Sequence, residues 1–383
     1  MRYWIINGIV HTAVSPGELH TDILVEDGKI AALGKHEDGC ADLIDAAGLH
    51  IFPGLVEAHC HLGLVGWGKT ATGVDVNEKN EYVTPELDAI DGINPFDETI
   101  RHALEGGVTS VGTGPGSANV IGGTFAAIKT CGTRVDDMII KPKVAMKCAF
   151  GENPKSCHAS KGVATRMTTA AKLRETLFKA KDYLRKKEAG EKDASKRPDF
   201  NFKMEAMLPV IRGEMPLKAH AHQANDIFTA IRIAKEFNVK LTLDHCTEGH
   251  LIADALAREN YPVAVGPSFG HSLKIETRNM TFATPGILDR AGCRVSIITD
   301  SDVVPQEYLG LLAGLAVRDG MDPFAALQAI TINPARHLGI EDRVGSIEPG
   351  KDADLIFCTG SILDSMTRVK RVIINGETKV NKA

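Results

Sequence analysis

Pro53-Gly54-Leu55-Val56-Glu57-Ala58-His59-Cys60-His61-Leu62-Gly63 places two imidazoles two residues apart at the end of an apolar run. In a strand, residues i and i+2 project to the same face. His59 and His61 are therefore expected to project together past the strand's C-terminal end. Two neutral ring nitrogens side by side suit one divalent metal ion. An isolated H-x-H is weak evidence, but further candidate ligands follow downstream, each at the end of its own strand.

Around this stretch the chain alternates apolar strands with helical segments, which argues a parallel α/β architecture. Eight strands are expected: Ile51–Ala58, Val108–Thr113, Thr124–Lys129, Lys143–Ala149, Leu217–His222, Leu241–His245, Val263–Pro267 and Val295–Thr299. Val120–Ala127 also reads as a loop approaching a ligand, which makes the third strand the least defined. Helices are expected over Pro95–Glu105, Asp226–Phe237, Leu309–Val317 and Pro323–Ile330, and in the charged segment Ala170–Arg185. Eight such units predict a (β/α)8 TIM barrel over residues 51–344. The segment 161–197 lengthens one connection and reads as a solvated helix and surface loop.

Both ends of the chain read differently. Tyr3–Ile6, Asp22–Glu26 and Lys29–Leu33 are strand-like, with Asp27-Gly28 as a two-residue hairpin signal. Ala353–Phe357 and Arg368–Ile374 repeat that style, and Asn375-Gly376 marks another tight turn. A small β-sandwich domain built from residues 1–50 and 345–383 is therefore expected to flank the barrel.

Composition narrows the function classes. The 383 residues are 43% hydrophobic and 24% charged, with a formal net charge of −5, so a large core is expected and no general attraction to nucleic acid or anionic lipid. No apolar run is long enough to span a bilayer, and Met1 leads into a strand in place of a signal peptide. The eight cysteines, Cys40, Cys60, Cys131, Cys148, Cys157, Cys246, Cys293 and Cys358, form no C-x-x-C pair; reduced thiols in a cytoplasmic protein are expected.

In a barrel, chemistry gathers at the C-terminal strand ends. Those ends carry His59 and His61, then Lys147, then His220 and His222, then Asp244-His245, and last Asp300. Together with the closing Thr331-Ile332-Asn333-Pro334-Ala335 and Gly345-Ser346-Ile347-Glu348-Pro349-Gly350-Lys351-Asp352-Ala353-Asp354-Leu355, this constellation resembles the amidohydrolase superfamily, nearest its imidazolonepropionase-related branch. The resemblance implies that His59, His61 and Asp300 bind a first metal. It implies that His220 and His245 bind a second, or that His220 joins the first in a mononuclear site. Lys147 would bridge if carboxylated, since an ammonium has no lone pair to offer a cation; Glu152 is the rival strand-four ligand. His222 is a substrate contact or an outer hydrogen-bonding partner. Asp244 points away from His245 and reads as structural.

The imidazole-rich set favours zinc. A metal-activated water, with Asp300 moving its proton to the departing nitrogen, would hydrolyse a small amide or cyclic amide such as a dipeptide, an N-acyl amino acid or a lactam. His271 and Arg278 are candidates to grip a substrate carboxylate. Gly63–Thr84 is expected to form part of a lid, and Gly112–Ser117 a close-approach loop near the site with no nucleotide implied. Partners are a small-molecule substrate and, through the resemblance, further copies of the chain. Two other readings stay open. A deaminase of a heterocyclic amine usually places a glutamate near strand five, and Lys218–Asp226 has none. A non-catalytic scaffold would be expected to have lost ligands.

Overall fold

The computed structural model describes residues 1–37, 39, 42–66 and 73–382. Cys40 lies outside these residues. So do positions 67–72 of the expected lid.

Eight strands form one sheet in sequential order: β1 (Leu55–Cys60), β2 (Val108–Thr113), β3 (Ile121–Lys129), β4 (Ile139–Ala149), β5 (Leu217–Ala221), β6 (Leu241–His245), β7 (Val263–Val265) and β8 (Val295–Ile297). The sheet curls into the expected barrel. β1 and β2 are parallel, and β4 through β8 are parallel.

The third strand differs from expectation. β3 runs antiparallel to both β2 and β4. The reason lies in the connections: residues 114–120 and 130–138 are shorter than the dozen or so residues a parallel crossover needs. β3 also begins earlier than expected and is buried along its whole length, so residues 121–127 are strand and only the Gly-rich link before them is loop.

The expected first strand divides at Gly54. His50–Pro53 pairs antiparallel with Leu355–Cys358, outside the barrel, whereas Leu55–Cys60 enters it. A Cβ on Gly54 would lie 2.1 Å from Thr109 Oγ1, so this crossing point admits no side chain. The barrel seam between β8 and β1 is filled by residues 329–330. Ala329 O accepts from Ile297 N (2.8 Å), and Ile330 O accepts from Val56 N (2.9 Å).

The terminal segments form two sheets. One orders Lys29–Gly34, Asp22–Glu26, Arg2–Ile6 and Leu43–Asp45. The other orders Glu377–Asn381, Val369–Ile374, Leu355–Cys358, His50–Pro53 and Ile9–Val10. Their facing side chains share one core, with Tyr3, Ile5, Ile23 and Val25 packed with Ile51, Leu355, Phe357 and Ile373. Both expected hairpin turns have the left-handed backbone their sequences favour: φ is 48° and 78° at Asp27-Gly28, and 50° and 76° at Asn375-Gly376.

The helices follow the apolar spacing. Asp97 caps Glu98–Glu105 by accepting from Thr99 N. The charged segment forms the helix Arg166–Lys192, whose Leu173, Leu177 and Ala180 join the apolar cluster outside β5 and β6. No helix among the described residues is long and apolar enough to cross a membrane.

A buried ion cluster fastens the sandwich to the barrel. Lys129, at the end of β3, lies 3.0 Å from Asp352 and pairs also with Asp354. Arg343 (2.7 Å) and Lys29 (2.5 Å) complete the charge around Asp352. Removing one member of a buried cluster leaves charge uncompensated. Lys129→Met is expected to destabilise the chain by about 3–5 kcal/mol, read as a lowered midpoint of thermal or urea unfolding.

Candidate active site

His59 and His61 leave β1 on one side, while Cys60 between them turns into an apolar cluster. Two contacts hold the pair against the last strand. His61 N donates to Ser301 O (2.7 Å). Glu57, on the same face of β1, is fully buried. Its Oε1 accepts from His59 N (3.0 Å), and its Oε2 accepts from Thr299 N (2.9 Å), Thr299 Oγ1 (2.8 Å) and Gln306 Nε2 (2.9 Å). Burial pushes this carboxyl up to about 7, against the hydrogen bonds that favour its ionised form. Sequence reasoning passed over Glu57. Its position two residues before His59, on the inward face, was the available signal.

The remaining strand ends converge on these histidines. Lys147 ends 3.4 Å from His59 Nε2. His220, His222 and His245 sit with ring centroids 4.3–4.7 Å apart. His245 and Asp300 take left-handed backbone angles, φ 74° and 50°, which are uncommon for residues with a side chain and cluster at functional sites. Asp300 Oδ1 lies 3.4 Å from His59 Nε2 and 3.3 Å from His61 Nε2. Phe125 of β3 packs beneath, its ring 5.2 Å from that of His59 and 5.4 Å from Lys147 Nζ.

Protons are too few for these groups to satisfy one another. His61 Nδ1 faces Gly114 O (2.7 Å) and His245 Nδ1 faces Gly266 O (2.8 Å). A carbonyl only accepts, so each ring commits its Nδ1 proton there and turns Nε2 inward. His59 Nδ1 lies 3.1 Å from Asp244 Oδ2, with the same consequence. Burial holds His59, His220, His222 and His245 below the usual histidine range, His222 at about 3. With the Nδ1 protons so placed, the inward Nε2 atoms of His59 and His245 are lone pairs. His220 Nε2 and His245 Nε2 have no hydrogen-bond partner among the described residues. Asp300 Oδ1, between the inward nitrogens of His59 and His61, likewise has no hydrogen-bond partner among the described residues. Buried lone pairs facing one another across about 3 Å fit a divalent cation. Two overlapping groups have donor atoms within 4.8 Å of one another: His59, His245 and Asp300, and His220, His222 and His245. Lys147 is the exception in this donor set. Burial lowers its amine to about 8, and as an ammonium it offers no lone pair.

Several residues stand elsewhere than the sequence reading put them. Asp244 faces inward, bonding Lys218 Nζ (2.8 Å) as well as orienting His59, so it belongs to the support of the site. Glu152 does not reach the histidines; it opens a short helix and exchanges hydrogen bonds with Glu276, a buried carboxylate after β7. Arg278 is exposed and lines no part of the cavity at the barrel mouth. Lys274 lines that cavity instead and donates to Asn153 Oδ1 (2.6 Å). The cavity holds about 300 Å³. His61, His220, His222 and Asp300 form its inner wall, His271 and Lys274 its charged or polar rim, and Phe269 and Met280 its apolar side. Gly116 and Ser117 line it too, as the close-approach reading implies, and Val76 and Asn77 bring the described part of the long loop after His61 to the same rim. Arg166–Lys192 contributes nothing to this lining.

A sequence model of the Amidohydrolase family matches residues 50–379. A crystal structure of an amidohydrolase from Thermotoga maritima superposes with a TM-score of 0.96 at 40% identity, covering 99% of this chain and 100% of that one. The amidohydrolase tasK of Hapsidospora irregularis is 30% identical over 88% of this chain, which spans 37% of that protein. An adenine deaminase of Bacillus licheniformis is 25% identical over 97% of this chain, which spans 56% of that enzyme.

Because the nitrogens aim at a common point, chelator-stripped protein is expected to rebind divalent metal. At about 1,000-fold excess over Kd the gain is about 4 kcal/mol, visible as a raised unfolding midpoint. His245→Ala, which removes a nitrogen shared by both groups, is expected to cost more metal affinity than His222→Ala in a metal titration.

Proposed function

Because this chain belongs to the amidohydrolase family, we propose that it hydrolyses the C–N bond of a small amide (a dipeptide, an N-acyl amino acid or a lactam) at the barrel mouth. The observation that carries the reading is the convergence of buried imidazole nitrogens and the Asp300 side chain at the inner wall of one small cavity. His59, His61 and Asp300 would hold one divalent ion, with zinc favoured by the donor set, and His220 and His245 a second. When bound, such an ion supplies Lewis acidity and makes water a stronger acid.

The chain's own groups supply the rest. Asp300 accepts a proton from water and returns it to the departing nitrogen. Asp244 holds the His59 ring in place through Nδ1. Lys147 joins the ligand set as a carbamate: its Nζ lone pair adds to CO2, one N–H proton is released, and the resulting anionic oxygens replace an amine that sits unfavourably among ligands. Lys274, aligned by Asn153, receives a carboxylate at the outer end of the substrate, and His271 faces the same space. Phe269 and Met280 receive its apolar part. A cavity of about 300 Å³ matches a substrate of this size and not a polymer.

The adenine deaminase relatives favour a second reading, release of ammonia from an aminated heterocycle. Ammonia assays on such heterocycles, run beside amine-release assays on dipeptides and N-acyl amino acids, separate the two. The amidase reading fails if only the heterocycles turn over.

Three outcomes are expected for the amide substrate. Asp300→Asn lowers kcat by roughly 10²–10⁴-fold, with KM changed far less. Lys274→Ala raises KM by roughly 10–100-fold for a substrate with a free carboxylate, and leaves its carboxamide analogue unaffected. Apoprotein reconstituted with zinc regains activity faster when bicarbonate is present, and Lys147→Ala removes that dependence.

A further inference from the structure

A second cluster of ligating side chains stands where the sandwich meets the barrel. His11 follows the strand Ile9–Val10, and His50 opens the strand His50–Pro53, which pairs parallel with it. His11 Nε2 lies 2.9 Å from His50 Nδ1. Glu18 completes the group, with the three donor atoms all within 4.8 Å of one another. His50 and His59 are separated by nearly continuous strand, so this cluster belongs to the opposite end of β1 from the barrel mouth.

The backbone holds the three residues in place. Val10 and Leu19 exchange two hydrogen bonds of 2.9 Å, and these residues immediately adjoin His11 and Glu18. The His11 ring lies flat on Phe52, with centroids 4.3 Å apart and planes 9° from parallel. Both rings are half-buried, whereas Glu18 is exposed. The group borders an open cavity of about 280 Å³, with Pro323, Phe324 and Leu327 on its barrel side.

Two imidazoles that meet nitrogen to nitrogen share either one N–H proton, as a hydrogen bond, or a cation that both ligate. Glu18 adds a third donor atom to the same small space, and three such donors suit the cation. Ligand nitrogens about 2.0–2.1 Å from one tetrahedral zinc lie roughly 3.3 Å apart, so the observed pair needs to open by only a few tenths of an ångström. The open cavity leaves room for a water to complete the coordination.

We propose that His11, His50 and Glu18 form a second cation site, distinct from the barrel mouth, for a borderline transition metal such as zinc. Two imidazoles and one carboxylate are the wrong donors for magnesium or calcium. Bound there, the ion ties the loop carrying Glu18 to two strands of the sandwich, on the side facing the barrel helix Pro323–Gln328. A nearby contact of the same loop, Gln328 Nε2 to Ala13 O (3.0 Å), runs in the same direction.

The test uses the full chain, stripped with chelator and titrated with Zn²⁺ alone, and counts bound metal. The expected result is one equivalent fewer in Glu18→Gln and in His11→Ala than in the unaltered chain. Glu18 is exposed, so its variant keeps the fold even if the histidine variant does not. In a His59→Ala/His61→Ala background, the equivalent that Glu18→Gln removes is expected to persist, which assigns it away from the barrel mouth. Equal metal content in the unaltered chain and in Glu18→Gln would leave the His11–His50 contact as a hydrogen bond only and overturn the proposal. So would loss of the equivalent in the barrel-mouth background.

Discussion

The barrel mouth depends on one buried carboxylate. Glu57 stands on the first strand and accepts four hydrogen bonds, one from its own strand at His59 and three from Thr299 and Gln306 beyond the last. The first and last strands form no continuous ladder, because residues 329–330 lie in the seam. Glu57 supplies the missing link at the level of the histidines. It thereby places His59 and His61 against Asp300, which follows Thr299 directly. Together with the bond from His61 N to Ser301 O, that tether fixes the spacing of the two ends of the barrel chain where the chemistry requires it.

A second constraint follows from the first. Once the strand ends are drawn together, imidazole nitrogens and a carboxylate face one another in a buried pocket with ring protons spent on carbonyls and on Asp244. Such an arrangement is costly unless something positive joins it. The same burial holds the rings of His59, His220, His222 and His245 neutral, so the packing that makes the arrangement costly also leaves its donor atoms free.

The reversal of β3 shows how a barrel accommodates short connections. Two links too short for crossover helices force the chain back on itself, which carries the Gly-rich segment across the mouth and sets Gly114 O against His61. It also brings Phe125 under the histidines and leaves Lys129 at the other end, beside Asp352 and Asp354. One strand therefore floors the site and anchors the sandwich.

Local pattern alone determined much of this protein. Alternation in strands put His59 with His61 and His220 with His222. Asp27-Gly28 and Asn375-Gly376 set their turns, and apolar spacing placed the helices Glu98–Glu105, Ala224–Phe237, Leu309–Arg318 and Pro323–Gln328 to within three residues of their observed ends, whereas Arg166–Lys192 runs well beyond the expected Ala170–Arg185. These signals act over two to four positions and are written directly in the chain. Tertiary structure decided the rest: the direction of β3, the inward role of Asp244, Lys274 at the rim where Arg278 was expected, and the meeting of His11 with His50. Each depends on contacts between residues far apart in sequence, where burial and close packing choose among orientations that local propensity leaves equal.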